Sequence, residues 1–341
     1  MNICLVGCGG ISKCHLAAID SMKSDGANLI AVCDIIPERA ENAARKFGCK
    51  AYTDYDEMIN CEAADVVHIC TPHYLHADMA VKALSKNINV VLEKQCATSY
   101  DELKRLEKAA DASSAQIAVC FQNRYNPSTV FMKKTIEDRI YGDIYSARAF
   151  LSWKRDEDYY NADDWHGTKE KECGGVVINQ SIHTLDLLTY LLNKETYSVD
   201  AKVSNFHLKN EIEVEDTASA YFKFTDGTRA VFYATTAAGV NSDPLIDINY
   251  PDKVTLRLEG DSVYLINSDG YKLIFSEKNQ EKEFVGKKEW GNSHCRLIAD
   301  FYDCVKTGRP FPIDAYSAGR AVYDLLAVYE SSEKDETIIL K

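Results

Sequence analysis

The sequence predicts a two-domain protein in which an α/β domain is followed by an α+β domain. The first third of the chain alternates short apolar runs with amphipathic helical segments, whereas strand-like runs separated by turn signals dominate from about residue 145. The length of 341 residues is also typical of two domains. We place the boundary near the change of pattern, which gives domains 1–122 and 123–341.

The strands of the first domain are predicted at "NICLVG", "ANLIAVCD", "ADVVHIC", "NVVLEK" and "AQIAVC". Helical segments such as "ISKCHLAAIDSM" and "PERAENAARKFG" separate them. Short strands that alternate with amphipathic helices are typical of βαβ units on a parallel sheet. Such sheets bind ligands at the carboxyl ends of their strands, so functional residues are expected there.

The second domain is predicted to contain a mainly antiparallel sheet. Strand-like runs such as "TASAYFKFTDGTRAVFYATT" and "KVTLRLEGDSVYLINSDGYKLIFSE" contain Asp226-Gly227 and Asp269-Gly270, two dipeptides that suit hairpin turns. The chain then returns to helical patterns in "NSHCRLIADFYDCVKTG" and "AYSAGRAVYDLLAVYESS".

Composition excludes several classes of partner. The net charge of −13 disfavours attraction to phosphate backbones or acidic lipid, so neither nucleic acid nor membrane is expected. The start "MNICLVGCGG" does not resemble a signal peptide, which predicts a cytoplasmic protein. The 12 cysteines are scattered without a C-x-x-C pair, so we expect free thiols and no metal.

The motif "LVGCGGIS" follows the first predicted strand and opens the first helix. Gly7 and Gly9 occupy the first two positions of G-x-G-x-x-G, where the backbone approaches a pyrophosphate, and Ser12 stands at the third. Asp34 follows the second strand, where a carboxylate binds ribose hydroxyls and repels a 2′-phosphate. The pattern predicts NAD rather than NADP. Arg39 leaves two alternatives, contact with the adenosine or a solvated charge.

Lys94 follows another predicted strand in "VVLEKQCATS". A lysine at this edge of the sheet can bind a substrate hydroxyl and stabilise a developing alkoxide. The alternative is an ordinary exposed lysine, since most lysines lie at the surface.

The segment 174–192 is apolar around most of a helical wheel, which predicts a buried helix. Asn179, His183 and Asp186 are spaced at i, i+4 and i+7 and would form one polar stripe on it. An amide, an imidazole and a carboxylate inside a core need partners, which makes this stripe a candidate site.

Several ordered blocks resemble the Gfo/Idh/MocA oxidoreductases: "GCGGIS", "TPHYLH", "EKQCATS", "FQNRYNP", "WHGT", "GGVVINQSIHTLDLL" and "VEDTASAYFKFTDGT". The resemblance implies an N-terminal Rossmann domain that binds NAD. It also implies an α+β C-terminal domain with a large open, mainly antiparallel sheet, through which a homodimer or homotetramer forms. The substrate of such an enzyme is a small carbohydrate.

The resemblance also implies roles for individual residues. His183 matches the family's general acid/base histidine, which would take the hydroxyl proton, and Lys94 matches the lysine that orients the oxygen. The implied cofactor site comprises Gly7, Gly9, Gly10, Ile11, Ser12, Asp34, Arg39, Thr71, Pro72, His76, Glu93, Lys94 and Gln122. The implied substrate site comprises Lys94, Arg124, Trp165, Asn179, His183 and Asp186.

Three positions of this site raise questions. Gln95 stands where the family has a proline after the lysine. Asn179 stands where inositol dehydrogenases carry an aspartate, and the motif is similar to that of nucleotide-sugar and glycoside 3-dehydrogenases. Asp186 has two alternatives, a carboxylate partner of His183 or a scaffold residue that binds backbone across the domain interface.

The sequence therefore predicts an NAD-dependent dehydrogenase that acts on a secondary alcohol of a carbohydrate, with the 3-hydroxyl as the specific expectation. Arg124 leaves room for an anionic substrate. The competing interpretations are an inositol or other polyol dehydrogenase and a non-catalytic regulator that binds the dinucleotide.

Overall fold

The computed structural model describes residues 1–162, 165–209, 211–277 and 293–340. Its contacts divide the chain into two units. The first comprises Met1–Gln122 and Glu283–Gly319, and the second comprises Asn123–Lys282 and Arg320–Lys341.

The first unit contains a six-stranded sheet in the order β3-β2-β1-β4-β5-β6, and all its pairs are parallel. This is the strand order of a Rossmann fold, in which the order of strand addition reverses between β1 and β4. The predicted fold of this part is confirmed. The strands are β1 Asn2–Val6, β2 Asn28–Cys33, β3 Lys50–Tyr52, β4 Val66–Ile69, β5 Asn89–Leu92 and β6 Ile117–Val119.

Helices of the first unit follow the strands as the alternating pattern predicts. Each βα connection brings a strand's carboxyl end next to a helix start, which is where the candidate residues lie. The helices are α1 Ser12–Ser21, α2 Pro37–Phe47, α3 Tyr55–Cys61, α4 His76–Ser85, α5 Tyr100–Ala112 and α9 Ser293–Thr307.

The second unit contains a nine-stranded sheet in the order β14-β13-β12-β11-β7-β10-β9-β8-β15. Its pairs are antiparallel except β7 with β10, so the predicted mainly antiparallel sheet is confirmed. The strands are β7 Ser146–Ser152, β8 Thr196–Ser204, β9 Thr217–Phe224, β10 Arg229–Thr235, β11 Leu245–Tyr250, β12 Val254–Glu259, β13 Ser262–Asn267, β14 Gly270–Ser276 and β15 Ile338–Ile339. Both predicted hairpin turns join neighbouring strands, β9 to β10 and β13 to β14.

One face of this sheet is buried and the other is open. Small residues on the buried face, such as Ala147 and Ala149 of β7, allow a helix to pack closely, and α8 contacts β7. On the open face Tyr221 and Val231 are 46% and 45% exposed. The helices outside the first unit are α6 Pro127–Glu137, α7 Glu157–Tyr160 and α8 Ile182–Leu192; α10 Ala315–Lys334 begins in the first unit and continues into the second.

Residues 283–319 cluster with the first unit, whereas the sequence analysis assigned 123–341 to the second domain. In the described part of this segment α9 packs on α1, and its buried side chains Leu297, Ile298 and Phe301 belong to the apolar core. A change of pattern along the chain reveals where a domain is first left, but not a later return to it.

In the part of the chain that the structure describes, no helix combines the length and the apolar character needed to cross a membrane.

Candidate active site

The glycine-rich turn between β1 and α1 has the shape of an anion cradle. Gly7 has φ of +87°, and a Cβ there would lie 2.5 Å from the carbonyl oxygen of Cys70. A Cβ at Gly9 or Gly10 would meet no heavy atom within 4 Å. Gly7 is therefore required by the close approach of β4, while the other two glycines leave the backbone open. The turn leads into α1 at Ser12, where helix N–H groups attract phosphate.

Asp34 lies directly after β2 and is 7% exposed. Its carboxylate accepts hydrogen bonds from the backbone N–H of Cys8 at 2.8 Å and of Ile36 at 2.9 Å. A carboxylate has about four acceptor positions, so it can also bind ribose hydroxyls. The next residue, Ile35, is 85% exposed and carries no charge to offset a 2′-phosphate. Arg39 is exposed in the first turn of α2.

Glu93 and Lys94 follow β5 in the first unit. The Oε1 atom of Glu93 accepts from His15 Nε2 at 2.8 Å and from His294 Nε2 at 3.2 Å. Its Oε2 accepts from the backbone N–H of Lys94 at 3.2 Å. The sequence analysis placed Glu93 at the cofactor, but in the structure these protein groups bind both of its oxygens. Glu93 therefore supports Lys94 from inside the unit.

The hydrogen bonds continue from His15 into the core. His15 Nδ1 lies 2.8 Å from His68 Nδ1, and His68 Nε2 lies 2.8 Å from the hydroxyl of Tyr302. Burial lowers the pKa of His15 and lowers that of His68 well below its usual value. Burial alone would raise the pKa of Glu93, but the hydrogen bonds from His15 and His294 hold that pKa well below its usual value.

Cys120 lies beside this cluster, and the donor atoms of His15, Glu93 and Cys120 are all within 4.8 Å of one another. Burial, together with the carboxylate of Glu93, raises the pKa of the Cys120 thiol well above its usual value. The thiol is therefore protonated, and His15 and Glu93 contact each other at hydrogen-bond distance. We interpret the three residues as a hydrogen-bonded cluster.

His76 joins the two loops that follow β4 and β5. Its ring nitrogens lie 2.7 Å from the carbonyl oxygen of Gln95 and 2.8 Å from that of Thr71. Burial lowers the pKa of His76, although both backbone contacts oppose this shift. His76 therefore shapes the loops that carry Thr71, Pro72 and Lys94. Gln122 is also buried, at the start of the 3₁₀ turn Gln122–Tyr125.

In the second unit, Gly174 and Gly175 precede the candidate helix. A Cβ at Gly174 would lie 2.2 Å from the Tyr329 hydroxyl oxygen, and one at Gly175 would lie 1.9 Å from the carbonyl oxygen of Glu215. The Glu215 carboxylate also accepts from the backbone N–H of Gly175 at 2.9 Å and from the Tyr329 hydroxyl at 2.8 Å. No side chain fits at either glycine, and the buried carboxylate fixes the start of the helix.

Asn179 contacts Glu172, a residue that the sequence analysis did not identify. The amide Nδ2 of Asn179 donates to Glu172 Oε1 at 2.6 Å and to the Tyr159 hydroxyl at 3.3 Å. Glu172 is fully buried, and its other oxygen accepts from the backbone N–H of Gly167 at 2.5 Å. Gln180 Nε2 also donates to Tyr159, at 3.2 Å. These contacts orient the Asn179 amide with its nitrogen toward Glu172.

Asp186 binds Arg124, which neither sequence alternative included. The Arg124 guanidinium contacts both carboxylate oxygens, at 2.9 Å and 2.5 Å, and both side chains are buried. The segment is not one regular helix, because residues Val176–Gln180 form a π-helical turn before α8. Asn179 and Asp186 have different partners, and their common stripe with His183 stays a prediction. The ion pair uses Nε and one terminal nitrogen of Arg124, and the role of Arg124 with an anionic substrate stays a prediction.

His183 lies in the first turn of α8 and is half-buried. A π-helical turn directly before a functional helix is a frequent arrangement at active sites. Trp165 belongs to an aromatic cluster, since its ring lies 3.8 Å from that of His166, which in turn lies 4.8 Å from Tyr159. This cluster borders the residues that hold Asn179.

Comparison with known proteins identifies the family. Residues 1–121 match the Gfo/Idh/MocA family described as "Oxidoreductase family, NAD-binding Rossmann fold", and residues 129–254 match its C-terminal domain. The chain belongs to the Gfo/Idh/MocA family. NAD is therefore the cofactor, and the enzyme class is that of an oxidoreductase.

Several Gfo/Idh/MocA relatives act on sugars or polyols. Glucose-6-phosphate 3-dehydrogenase of Bacillus subtilis (strain 168) is 29% identical over 64% of this chain and 63% of its own length. The scyllo-inositol 2-dehydrogenase (NAD(+)) of the same strain is 25% identical over 83% of this chain and 80% of its own. The WlbA dehydrogenase from Bordetella pertussis, crystallised with NADH and UDP-GlcNAcA, has a TM-score of 0.85 at 28% identity and covers 100% of this chain and 98% of its own.

The sequence did not reveal the buried residues that hydrogen-bond to the candidate residues or to their partners, namely His15, His68, Glu172 and Tyr302. The two histidines lie in predicted core elements, and Glu172 lies in the charged run "KEKEC". The residues next to them in the sequence do not indicate which side chains they bind. Their roles depend on contacts between residues as far apart as His68 and Tyr302.

Proposed function

We propose that this protein is an NAD-dependent dehydrogenase that oxidises a secondary alcohol of a carbohydrate, at the 3-hydroxyl of a hexose derivative, glycoside or nucleotide sugar. The observation that carries the proposal is the open glycine-rich turn with Asp34 at the next strand end, in a chain of this family. The names of two relatives support the substrate class, glucose-6-phosphate 3-dehydrogenase and a dehydrogenase crystallised with UDP-GlcNAcA.

Two side chains carry the proposed chemistry. His183 accepts the proton of the substrate hydroxyl, because an imidazole with a pKa near neutrality suits this transfer. Lys94 binds the same oxygen and stabilises its alkoxide character as the proton leaves. NAD supplies the hydride acceptor when it is bound.

Asn179 supports a sugar rather than an inositol as substrate. Its amide nitrogen is engaged by Glu172 and Tyr159, so the contact proposed with a sugar hydroxyl uses the carbonyl oxygen as acceptor. An aspartate here, as in the inositol pattern, would place a second carboxylate 2.6 Å from Glu172. Such a pair of like charges is costly in a buried setting, so an amide at position 179 is compatible with the buried carboxylate of Glu172 and an aspartate is not.

The open face of the second sheet supports association of copies of this chain. Tyr221 and Val231 are exposed at its centre, and a closed symmetric dimer would cover the same patch on both copies. We therefore propose a homodimer or homotetramer formed through this sheet. Light scattering on Val231→Asp tests it, because a charge at the centre of the patch would separate the copies.

The experiment that tests the proposed function is a substrate panel followed by NADH absorbance. The panel contains one compound from each substrate class: glucose 6-phosphate, UDP-GlcNAcA, a methyl glucoside and scyllo-inositol. We expect NADH from at least one of the first three, and its loss in both Lys94→Ala and His183→Ala. NADH from scyllo-inositol alone, or a wild-type rate in either variant, would contradict the proposal.

A further inference from the structure

The buried hydrogen-bonded chain of the first unit has one consistent arrangement of protons. A carboxylate can only accept, so His15 donates from Nε2 to Glu93. Since His15 is neutral, its Nδ1 is then an acceptor and receives the Nδ1 proton of His68. Neutral His68 in turn accepts from the Tyr302 hydroxyl through Nε2. Every bond points toward Glu93, which is 5% exposed.

Glu93 connects this chain of hydrogen bonds to the next residue, Lys94. His15 and His294 both donate to Oε1, which fixes the rotation of the carboxylate and leaves Oε2 directed at the backbone N–H of Lys94. Hydrogen bonds that involve a charged acceptor are about twice as strong as neutral ones. The position of Lys94 is therefore set from inside the core, by residues on α1 and α9.

We infer that His15 is a positioning residue for Lys94, which acts by holding the Glu93 carboxylate in the orientation that binds the Lys94 backbone. This inference rests on the proposed function, in which Lys94 binds the substrate oxygen. It assigns His15 no contact with substrate or cofactor. Loss of His15 would disturb Lys94 while the glycine-rich turn and Asp34 stay unchanged.

The charge of Glu93 depends on few groups. Without His15, the pKa of Glu93 loses the largest of the contributions that lower it, while the hydrogen bond from His294 remains. The titratable side chains that interact with Glu93 in the described part of the first unit are His15, His68, Cys70, His76, Cys120 and His294.

Two replacements of His15 each keep one of its two hydrogen bonds. In His15→Gln the side-chain amide lies at the position of Nε2, so it can still donate to Glu93. In His15→Asn the shorter amide lies at the position of Nδ1, so it keeps only the contact with His68. Tyr302→Phe is the matched control, because it removes a hydroxyl from the far end of the same chain and leaves both donors to Glu93. All three variants keep the length of the chain and the apolar core.

The first readout needs no substrate. The full-length protein with NADH is methylated at its lysines with ¹³C-formaldehyde, and the Lys94 signal is identified by its absence in Lys94→Gln. We expect the chemical shift of this signal to differ from that of the wild type in His15→Asn, because the backbone of Lys94 loses its fixed acceptor, and to match the wild type in His15→Gln and Tyr302→Phe. An unchanged chemical shift in His15→Asn, or an equal change in Tyr302→Phe, would overturn the inference.

The second readout is kinetic and uses the sugar of the panel that the wild type oxidises fastest. We expect kcat to fall about 10- to 100-fold in His15→Asn, as for other outer hydrogen-bonding partners, with the KM for NAD within about threefold. His15→Gln should recover most of kcat. If the wild type oxidises no sugar, the proposed function fails, while the chemical shift of the Lys94 signal still decides the role of His15.

Discussion

Arg124 and Asp186 form a buried ion pair with two hydrogen bonds, from Nε to Oδ2 at 2.9 Å and from a terminal guanidinium nitrogen to Oδ1 at 2.5 Å. The two side chains are 7% and 1% exposed. Arg124 lies in the 3₁₀ turn after β6 and Asp186 lies on α8, the helix that carries His183. The pair therefore anchors the start of the second unit to the candidate catalytic helix.

Removal of one partner should destabilise the protein strongly. Arg124→Leu leaves the Asp186 carboxylate buried without its cation, which costs about 3–5 kcal/mol in comparable pairs. Urea denaturation followed by circular dichroism measures this loss. The double variant Arg124→Leu/Asp186→Leu should recover most of it, because no uncompensated charge remains. A single variant within about 1 kcal/mol of the wild type would contradict the role of the pair.

Gly175→Ala should destabilise the second unit. The new Cβ would lie 1.9 Å from the carbonyl oxygen of Glu215, so the backbone must shift, and overpacking of this kind costs about 1–3 kcal/mol or more. The matched control is Gly239→Ala, whose Cβ would meet no atom within 4 Å. Thermal unfolding should separate the two variants clearly, and equal melting temperatures would show that the tight contact at Gly175 is not real.

Asp324 should make the stability of the protein depend on pH. Burial raises the pKa of this carboxyl on α10 to about 7, against an ordinary value of 3.8, and a bond from Thr196 opposes this only in part. In the unfolded chain the group ionises near pH 4, while the folded protein keeps it protonated. Stability should therefore fall as pH rises from about 4 to about 7, by about 3–4 kcal/mol. Asp324→Asn should remove this fall, as measured by urea denaturation at several pH values; an identical fall in the variant would exclude Asp324 as its source.

Asp34 should set the preference for NAD over NADP. Asp34→Ser removes the repulsion of a 2′-phosphate and weakens binding of the ribose hydroxyls, so the ratio of the two affinities should change at least tenfold, or about 1.4 kcal/mol. Fluorescence titration with NADH and NADPH measures it. Arg39→Ala is the companion variant, since it alters the ratio only if Arg39 contacts the adenosine. A ratio unaffected by Asp34→Ser would remove Asp34 from the cofactor site.

Much of the fold could be predicted from local pattern, because apolar periodicity and turn residues are properties of neighbouring positions. The βαβ units, both hairpin turns and the two C-terminal helices were predicted in this way. The strands β3 and β11 were not: Lys50–Tyr52 is short, and "LIDINY" was missed although its last five residues alternate between apolar and polar. The return of α9 to the first unit also left no mark in the local sequence.

The site residues could be predicted where a motif has fixed spacing. They could not be predicted where contacts between distant parts of the chain determine the position of a side chain. Gly7, Gly9 and Asp34 lie where the motif places them, at the ends of β1 and β2. The regular helix predicted over 174–192 was not found, because a π-helical turn precedes α8, and the partners of Asp186 and Asn179, namely Arg124 and Glu172, were not predicted. No periodicity in the sequence reports such pairings.

The most direct test of the central claim is the mass of the NADH formed from sugars that carry deuterium at C3. Wild-type protein is incubated with NAD and with C3-deuterated glucose 6-phosphate, UDP-GlcNAcA or a methyl glucoside. We predict NADH that has gained one deuterium from at least one of these sugars. NADH without deuterium, or no NADH from any of the three, would contradict the account.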